Sequence, residues 1–420
     1  MIFCGRYFDF TKAGMVVTEK GINQFDQKQQ NTWLIKKHLY LNSPISRVEI
    51  AHNLGLTTPV ITGIISPLLA EGIVRERETA ETDPNKGAGR RRVMLEFNPE
   101  AHYACGVDLG PYYTNFVLTD LCGKQVAQLQ TSQKLDEYEK TIQQLSEQIP
   151  HFLQQCGVPA EKLLGVGIAM PGLINGSEGK IYTTFKKGWT KCDPAAELQD
   201  RIGVPVMVEN NVRAKVIGAE MFDRMVHAQP FAYLSVFYGI ACQMIIDNQV
   251  LYGSSAAAGE IGHMVVQRGG PFCVTCGNRG CLEALSGERA ILTRCREIMA
   301  LEPSCLLWKL CQTPEELTID MVLHAQSQGD LYVGDVMQDA LDYLGIALAN
   351  VVNLLSPGMV VIDGRMFSLP ENQSYLLRAA ERNMFRIQAH KVQFTFLPYD
   401  PYRGARAGAA VVIKHYLHEG

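Results

Sequence analysis

The feature that most restricts this chain is a segment, 263–281, that gathers one imidazole and three thiols. It reads Gly259-Glu260-Ile261-Gly262-His263, then Cys273-Val274-Thr275-Cys276-Gly277-Asn278-Arg279-Gly280-Cys281-Leu282-Glu283. Thiolate and imidazole suit Zn²⁺, which takes four such ligands tetrahedrally, and four protein ligands leave no position for a catalytic water. Cys273 and Cys276 have the spacing of a zinc knuckle, and Gly277 and Gly280 let the chain turn so that Cys281 returns to the same ion. A redox Cys-x-x-Cys pair, or three buried thiols, would leave His263 and the glycine turn without a role. The reading is a structural zinc site of His263, Cys273, Cys276 and Cys281. The flanking carboxylates Glu260 and Glu283 need a separate explanation.

A chain of 420 residues is too long for one core and implies two or three domains. No apolar run approaches the ~18 residues of a membrane span, and the first residues lack a signal-peptide core. Of twelve cysteines, nine are scattered singly, which argues against a disulfide scaffold and for a reducing cytoplasm. Net charge is −4, unevenly spread: residues 1–100 hold 13 Lys and Arg against 11 Asp and Glu, the remainder 26 against 32. A mildly basic front on an acidic body hints at nucleic acid at the N-terminal end.

Residues 1–25 carry no periodicity and read as an extension. From Gln30 to Tyr40, Trp33, Leu34, Ile35 and Leu39 suit a first helix. Ser46 caps a second, Arg47 to Leu54, with Glu49 at the capping-box position. Gly55-Leu56 turns the chain and Thr57 caps a third segment from Thr58 to Ile65. Pro67 should bend or end that helix early, because its ring clashes with the Gly63 carbonyl. Helix, glycine turn, helix is the helix-turn-helix pattern. Two alternating runs, Glu71–Arg77 and Arg90–Phe97, read as a two-stranded wing. Residues 26–98 are therefore expected to bind DNA. In the third helix Ile61, Ile64 and Ile65 are core, while Thr58, Val60, Thr62, Gly63 and Ser66 face outward. None is an Arg, Asn or Gln able to pair bidentately with a base. Specificity then falls to Arg90, Arg91 and Arg92 in a narrow minor groove or on phosphates, unless they line a solvated strand edge. Arg47, Lys36 and Lys37 suit phosphate contacts.

After Pro99 strands and helices alternate. Cys105–Gly110 pairs with Thr114–Thr119, a helix spans 137–154, and strands follow at Leu164–Ile168, Val204–Glu209, Phe231–Val236 and Met359–Ile362. Long helices fall near 284–300 and 335–354. This is an α/β body, in two lobes around a cleft. No short internal repeat is visible.

Over residues 30–420 the chain resembles the ROK family (repressor, open reading frame, kinase), in the branch with an N-terminal winged helix-turn-helix. The resemblance rests on the zinc signature, Ala169-Met170-Pro171-Gly172, Glu209-Asn210-Asn211, Asn353-Leu354-Leu355-Ser356-Pro357 and Gly404–Ala410. Cys273 and Cys276 stand one residue further apart than is usual, which leaves open which thiols bind. The resemblance implies two ribonuclease H-like lobes of the actin/hexokinase type over 99–420, with sugar between them. It assigns the sugar to Asn210, Asn211 (at the family's Asp position), Glu260, His263 and Glu283. Amides and carboxylates match hydroxyls that both donate and accept. His263 can bind zinc through one nitrogen and offer the other to sugar.

Phosphoryl transfer needs a base, a backbone cradle for phosphates and a carboxylate for Mg²⁺. The base position is Asn211, an amide. The first phosphate loop reads Asp108-Leu109-Gly110-Pro111-Tyr112-Tyr113-Thr114, where Pro111 removes a donor and the tyrosines take up space. Tyr238–Cys242 keeps one glycine, and Asp363-Gly364-Arg365 adds a negative charge. The expected function is a sugar-responsive DNA-binding regulator, a repressor of carbohydrate genes, with no catalysis and no ATP. Its partners would be operator DNA, a sugar or sugar phosphate, and further copies in a homodimer or homotetramer. Two other readings are a ROK sugar kinase with an appended DNA-binding domain and a constitutive DNA-binding or scaffold protein. Arg213 meets either an effector phosphate or a lobe carboxylate.

Overall fold

The computed structural model describes residues 24–419 apart from 79–92, 135, 177–178, 185–187, 226–229, 248 and 387–390. Three helices come first: α1 (Gln24–Asn42), α2 (Arg47–Leu54) and α3 (Thr58–Ala70). With them lies a small sheet, β1 (Ile45–Ser46), β2 (Val74–Glu78) and β3 (Val93–Phe97), in the order β1-β3-β2. The capping box forms as its sequence implies: the Ser46 hydroxyl accepts from Glu49 N at 3.2 Å and Glu49 accepts from Ser46 N at 2.9 Å. Such a cap is worth about 1 kcal/mol. Ile35, Leu39, Ile50, Ile61, Ile65 and Leu95 are fully buried at its centre.

Two local expectations are corrected here. Helix α3 runs through Pro67 to Ala70. The missing hydrogen bond falls on the exposed side at Gly63, while Leu68, one residue beyond the proline, is buried in the core and holds the last turn in place. Thr57 occupies the N-cap position but makes no side-chain capping bond, and its carbonyl takes the Val60 and Ile61 amides instead. The wing strands pair antiparallel from Val74↔Phe97 to Glu78↔Val93. Arg90, Arg91 and Arg92 lie outside the described residues, as do 1–23 of the expected extension.

The α/β body follows. Its first lobe holds β4 (Tyr103–Leu109), β5 (Thr114–Asp120), β6 (Gln125–Thr131), α4 (Tyr138–Cys156), β7 (Leu163–Met170), the hairpin β8 (Leu173–Asn175) and β9 (Lys180–Thr183), α5 (Pro194–Ile202) and β10 (Val206–Asn210). Helix α6 (Asn211–Met221) leads into the second lobe. There lie β11 (Phe231–Val236), β12 (Ile240–Ile246), β13 (Gln249–Val250), α7 (Glu283–Ser286), α8 (Glu288–Leu301), α9 (Ile319–Ser327), α10 (Leu331–Leu355), β14 (Met359–Gly364), α11 (Pro370–Asn383) and β15 (Gln393–Phe396).

The two five-stranded sheets share one topology. In the first, β4, β5 and β6 form an antiparallel meander, with β7 parallel to β4 and β10 parallel to β7. In the second, β11, β12 and β13 form the meander, and β14 and β15 extend it in parallel. A duplication absent from the residue pattern is thus plain in the strand order. The last helix, α12 (Arg403–Glu419), returns to the first lobe. It meets β7 at backbone distance: a Cβ on Gly408 would lie 2.4 Å from the Gly167 carbonyl oxygen. No described helix is long and apolar enough to cross a membrane.

Candidate functional site

His263 closes a short 3₁₀ turn, Ile261–His263, directly after Glu260. The chain beyond it doubles back on itself through the bridges Val265↔Cys281 and Phe272↔Arg279. At the reversal Gly280 has φ +79° and a Cβ there would stand 1.7 Å from the Gln267 carbonyl oxygen, so no other residue fits. One ligand atom from each of His263, Cys273, Cys276 and Cys281 lies within 4.8 Å of all the others. Cys276 and Cys281 sulfurs are 3.5 Å apart, and Cys273 Sγ is 3.7 Å from His263 Nδ1. All three thiols converge, so the extra residue after Cys273 costs no ligand. This cluster can hold a metal ion, and because Nδ1 is the nitrogen turned to sulfur, Nε2 is left for another partner.

Around this cluster the second lobe gathers the expected sugar-side carboxylates. Burial pushes the Glu260 carboxyl above its ordinary range; His263 and Arg213 oppose the shift, and Glu283 adds to it. Glu283 opens α7, accepts the Thr275 hydroxyl at 2.7 Å, and reaches the turn at Gly239, where an added Cβ would be 3.0 Å from its Oε2. Asn210 comes from the first lobe. Its Oδ1 caps α6, taking the Val212 and Arg213 amides at 2.9 and 3.1 Å, and its Nδ2 donates to Gly172 O at 3.0 Å. One amide hydrogen of Asn210 is left for a ligand. Asn211 is half-buried at the first position of α6.

Arg213 joins the two sides. It is fully buried and pairs with Glu209 at 2.8 Å. Its guanidinium also donates to Ile174 O of β8 at 2.5 Å and to Ala256 O in the segment leading to Glu260 at 2.9 Å. The Tyr252 ring lies 5.0 Å away, and its hydroxyl donates to Glu209 at 3.0 Å. Of the two alternatives for Arg213, the carboxylate is the partner present.

The opposite end of the cleft is filled. Tyr113, after β4, accepts from Arg365 at 2.9 Å; Arg365 also donates to the Tyr399 hydroxyl and pairs with Asp320 at 3.0 Å. Tyr112 meets Tyr238 edge-on at 5.8 Å. Of the three loops expected to carry phosphate, the first and third are hydrogen-bonded and the second packs on the first through its tyrosine ring. Asp363 does not stand there as a bare charge: Lys215 lies 3.0 Å away and the Tyr233 hydroxyl donates to it at 2.8 Å. It is Arg365, named in the sequence only as part of that loop, that occupies the space. Burial pushes the Asp108 carboxyl up to about 6, with Lys215 pulling it down and Asp363 pushing it up.

In the helix-turn-helix, Thr58, Val60, Thr62, Gly63 and Ser66 are all exposed on α3. The Ser66 hydroxyl donates back to Thr62 O at 2.8 Å, so it faces out as an acceptor. Arg47 is half-buried and pairs with Glu76 of the wing at 2.8 Å. Lys36 and Lys37 are corrections. Lys36 is only 4% exposed, with burial lowering its pKa, and Lys37 pairs with Glu220 of α6 at 2.6 Å. The face of α1 that carries them packs on the body, so neither is a phosphate contact. Arg75 and Arg77, on β2, are exposed basic residues that the sequence reading passed over.

A model of the ROK family matches residues 104–414. The xylose repressor of Bacillus subtilis (strain 168) is 32% identical over 336 residues, 80% of this chain and 82% of that protein. The N-acetylglucosamine repressor of Escherichia coli O157:H7 is 25% identical over 372 residues, 88% of each. Among solved structures, a ROK family transcriptional regulator described as a homolog of the E. coli MLC protein matches with a TM-score of 0.77 and 25% identity, covering 93% of this chain and 97% of its own. A ROK family glucokinase from Streptomyces griseus, solved with glucose and AMPPNP, shares the fold at a TM-score of 0.63 and 19% identity over 73% of this chain and 98% of its own.

Proposed function

The chain belongs to the ROK family, and on that premise we propose that it is a sugar-responsive transcriptional repressor that has lost phosphoryl transfer. The observation that carries this reading is the contact between Tyr113 and Arg365, which closes the nucleotide end of the cleft while the sugar end keeps its polar groups. Relatives named xylose repressor make a pentose of the xylose type the first effector to test.

In this reading Asn210, Asn211, Glu260, His263 and Glu283 hold the sugar hydroxyls. The cluster fits Zn²⁺: with Zn–S bonds of about 2.3 Å, tetrahedral donors stand about 3.8 Å apart, near the separations seen. Bound zinc would supply rigidity, fixing the His263 ring so that Nε2 faces the sugar. Residues 26–98 form the DNA-binding domain, with Thr58, Val60, Thr62, Gly63 and Ser66 toward the major groove and Arg47 at a phosphate. Two copies would set two α3 helices about 34 Å apart, one turn of the duplex. Sugar then acts by favouring one lobe angle over another.

The test is fluorescence polarisation of the full-length protein on DNA from upstream of its own gene, titrated with a panel of monosaccharides. Xylose should shift the DNA affinity, and a coupled ADP assay with xylose or glucose should stay at background. The variant Asn211→Asp should also stay at background, because Tyr112, Tyr113 and Arg365 still fill the phosphate space. Sugar-dependent ADP release by the wild-type protein would overturn the reading in favour of a kinase.

A further inference from the structure

Helix α6 is enclosed on all sides. Every residue from Val212 to Met221 is buried except Lys215. Val212, Val216 and Ala219 pack with Phe231, Tyr233 and Val361 of the second lobe. Ala214 packs with Ala407 of α12, and a Cβ on Gly218 would stand 3.3 Å from that same side chain. Ile217 and Met221 share one cluster with Ile35, Leu39 and Tyr40 of α1. A single element of about 16 Å thus touches both lobes and the DNA-binding domain.

A helix buried all round is normally apolar all round. This one carries three charges, and each is paired with a different body. Arg213 pairs with Glu209 beside Asn210. Lys215 pairs with Asp363 of the second lobe. Glu220, 6% exposed, pairs with Lys37 of α1 at 2.6 Å and with Lys414 of α12 at 3.3 Å. Buried ion pairs add little stability over an apolar replacement of the same shape, and their better-attested use is to fix register or a switch. Beside it a cleft of about 1000 Å³, lined by Trp33, Lys37, His38, Asp247 and Gln249, lies between α1 and the turn between β12 and β13. The DNA-binding domain is thus paired to α6 through Lys37, meets α12 through the Trp33 and His418 rings and is bonded to the first lobe through the Tyr40 hydroxyl and Leu121 O, with this cleft on its side toward the second lobe.

We propose that α6 carries the state of the sugar pocket to the DNA-binding domain, with Glu220 as the positioning residue at its far end. The inference rests on the sugar-pocket reading above. A close-packed helix moves as a unit, so a shift at Asn210 and Asn211 reaches Glu220 undiminished and takes Lys37 with it. Neither Glu220 nor Lys37 touches the sugar or the DNA. Both should alter the response and leave each separate binding event in place.

The experiment measures operator affinity with and without xylose by polarisation, and xylose affinity by calorimetry, on the full-length protein. The wild-type coupling factor should be about tenfold or more. In Glu220→Gln it should fall below about threefold, with xylose affinity and sugar-free DNA affinity each within about threefold of wild type. Glu220→Asp should recover part of the coupling. Lys37→Met breaks the same pair and leaves Glu220 compensated by Lys414, so it serves if Glu220→Gln does not fold. The double variant should be no worse than either single one. Full coupling in both single variants overturns the inference while leaving the sugar reading intact. No xylose effect on the wild-type protein, with no heat of binding, overturns the sugar reading and this inference together.

Discussion

At the end of the cleft proposed to take the sugar, Glu260 and Glu283 flank a cluster of His263, Cys273, Cys276 and Cys281 that can hold a metal ion. At the other end, Tyr112, Tyr113, Arg365 and Tyr399 satisfy one another. The two ends are built from different loops, so one can be filled without disturbing the other. On the proposed reading, recognition rests on a short-range device, the turn between His263 and Cys281. Phosphoryl transfer would need three loops from both lobes to stay open together, and on the proposed reading Tyr112, Tyr113 and Arg365 prevent that. On that proposal, what remains for a bound sugar to do is to change the shape of the protein.

The largest effect should come from taking away the brace. Cys281→Ser, or treatment with a strong chelator, should lower xylose affinity on the order of 100-fold or more, because metal binding and local folding are one free energy. Bound zinc measured by mass spectrometry should fall from one per chain, while far-ultraviolet circular dichroism changes little. Full sugar affinity in a metal-free protein would break the comparison at its first step. Glu260→Ala comes next. Removing a charged acceptor from a buried site costs about 2–3 kcal/mol, or roughly 30- to 150-fold in affinity by calorimetry. The DNA affinity without sugar should not move, and an unchanged xylose affinity would remove Glu260 from the pocket.

The ends of the cleft were unequally legible in the sequence, and the reason is the range of the contacts. The metal motif is local: four ligands, two glycines and two carboxylates in one segment state their chemistry by type and spacing. So does the capping box of Ser46 and Glu49. The filled end depends on Tyr113 and Arg365, 252 positions apart in the chain. The sequence shows that Pro111 and the tyrosines are wrong for phosphate, and cannot show that an arginine from the third loop bonds to them. The role of Lys37 is hidden for the same reason, since its partner Glu220 lies 183 residues away. Helix α6 gives no amphipathic signal, because a helix buried all round has no face to distinguish. The matching topology of the two sheets lies in strand order, which hydrophobic pattern does not encode.

Glu288 sharpens the comparison from the filled end. It opens α8, is 3% exposed, and its Oε1 has no hydrogen-bond partner among the described residues. Burial pushes its carboxyl up to about 7, against the pull of Arg365 and Lys215 and with a further push from Asp320. A carboxyl that binds its proton more tightly when folded leaves stability untouched below its unfolded value near 4.5, and stability falls as pH rises from there through about 7. The full penalty is about 3 kcal/mol. Glu288→Gln should therefore stabilise the protein at pH 8 by up to that amount in urea denaturation and do little at pH 4.5. A gain independent of pH would mean that the carboxyl titrates alike in the folded and unfolded chain, so that burial does not hold its proton.

Tyr113→Phe should have the smallest effect and separates two ways of filling a cleft. If the tyrosine works by volume, the ring alone suffices and the variant matches wild type. If it works as a bond between lobes, Arg365 loses one acceptor while keeping Asp320 and Tyr399. A hydrogen bond to a charged group with other partners in reach is worth about 1 kcal/mol. The loss should appear in urea denaturation as a lower midpoint with an unchanged slope. Since the bond spans the first and second lobes, breaking it should also ease their relative rotation, raising the xylose association rate more than it changes the equilibrium affinity. Stopped-flow fluorescence would read that rate. An unaltered midpoint together with an unaltered rate would leave the tyrosine as a filler, and the closed end of the cleft as packing with no part in the movement of the lobes.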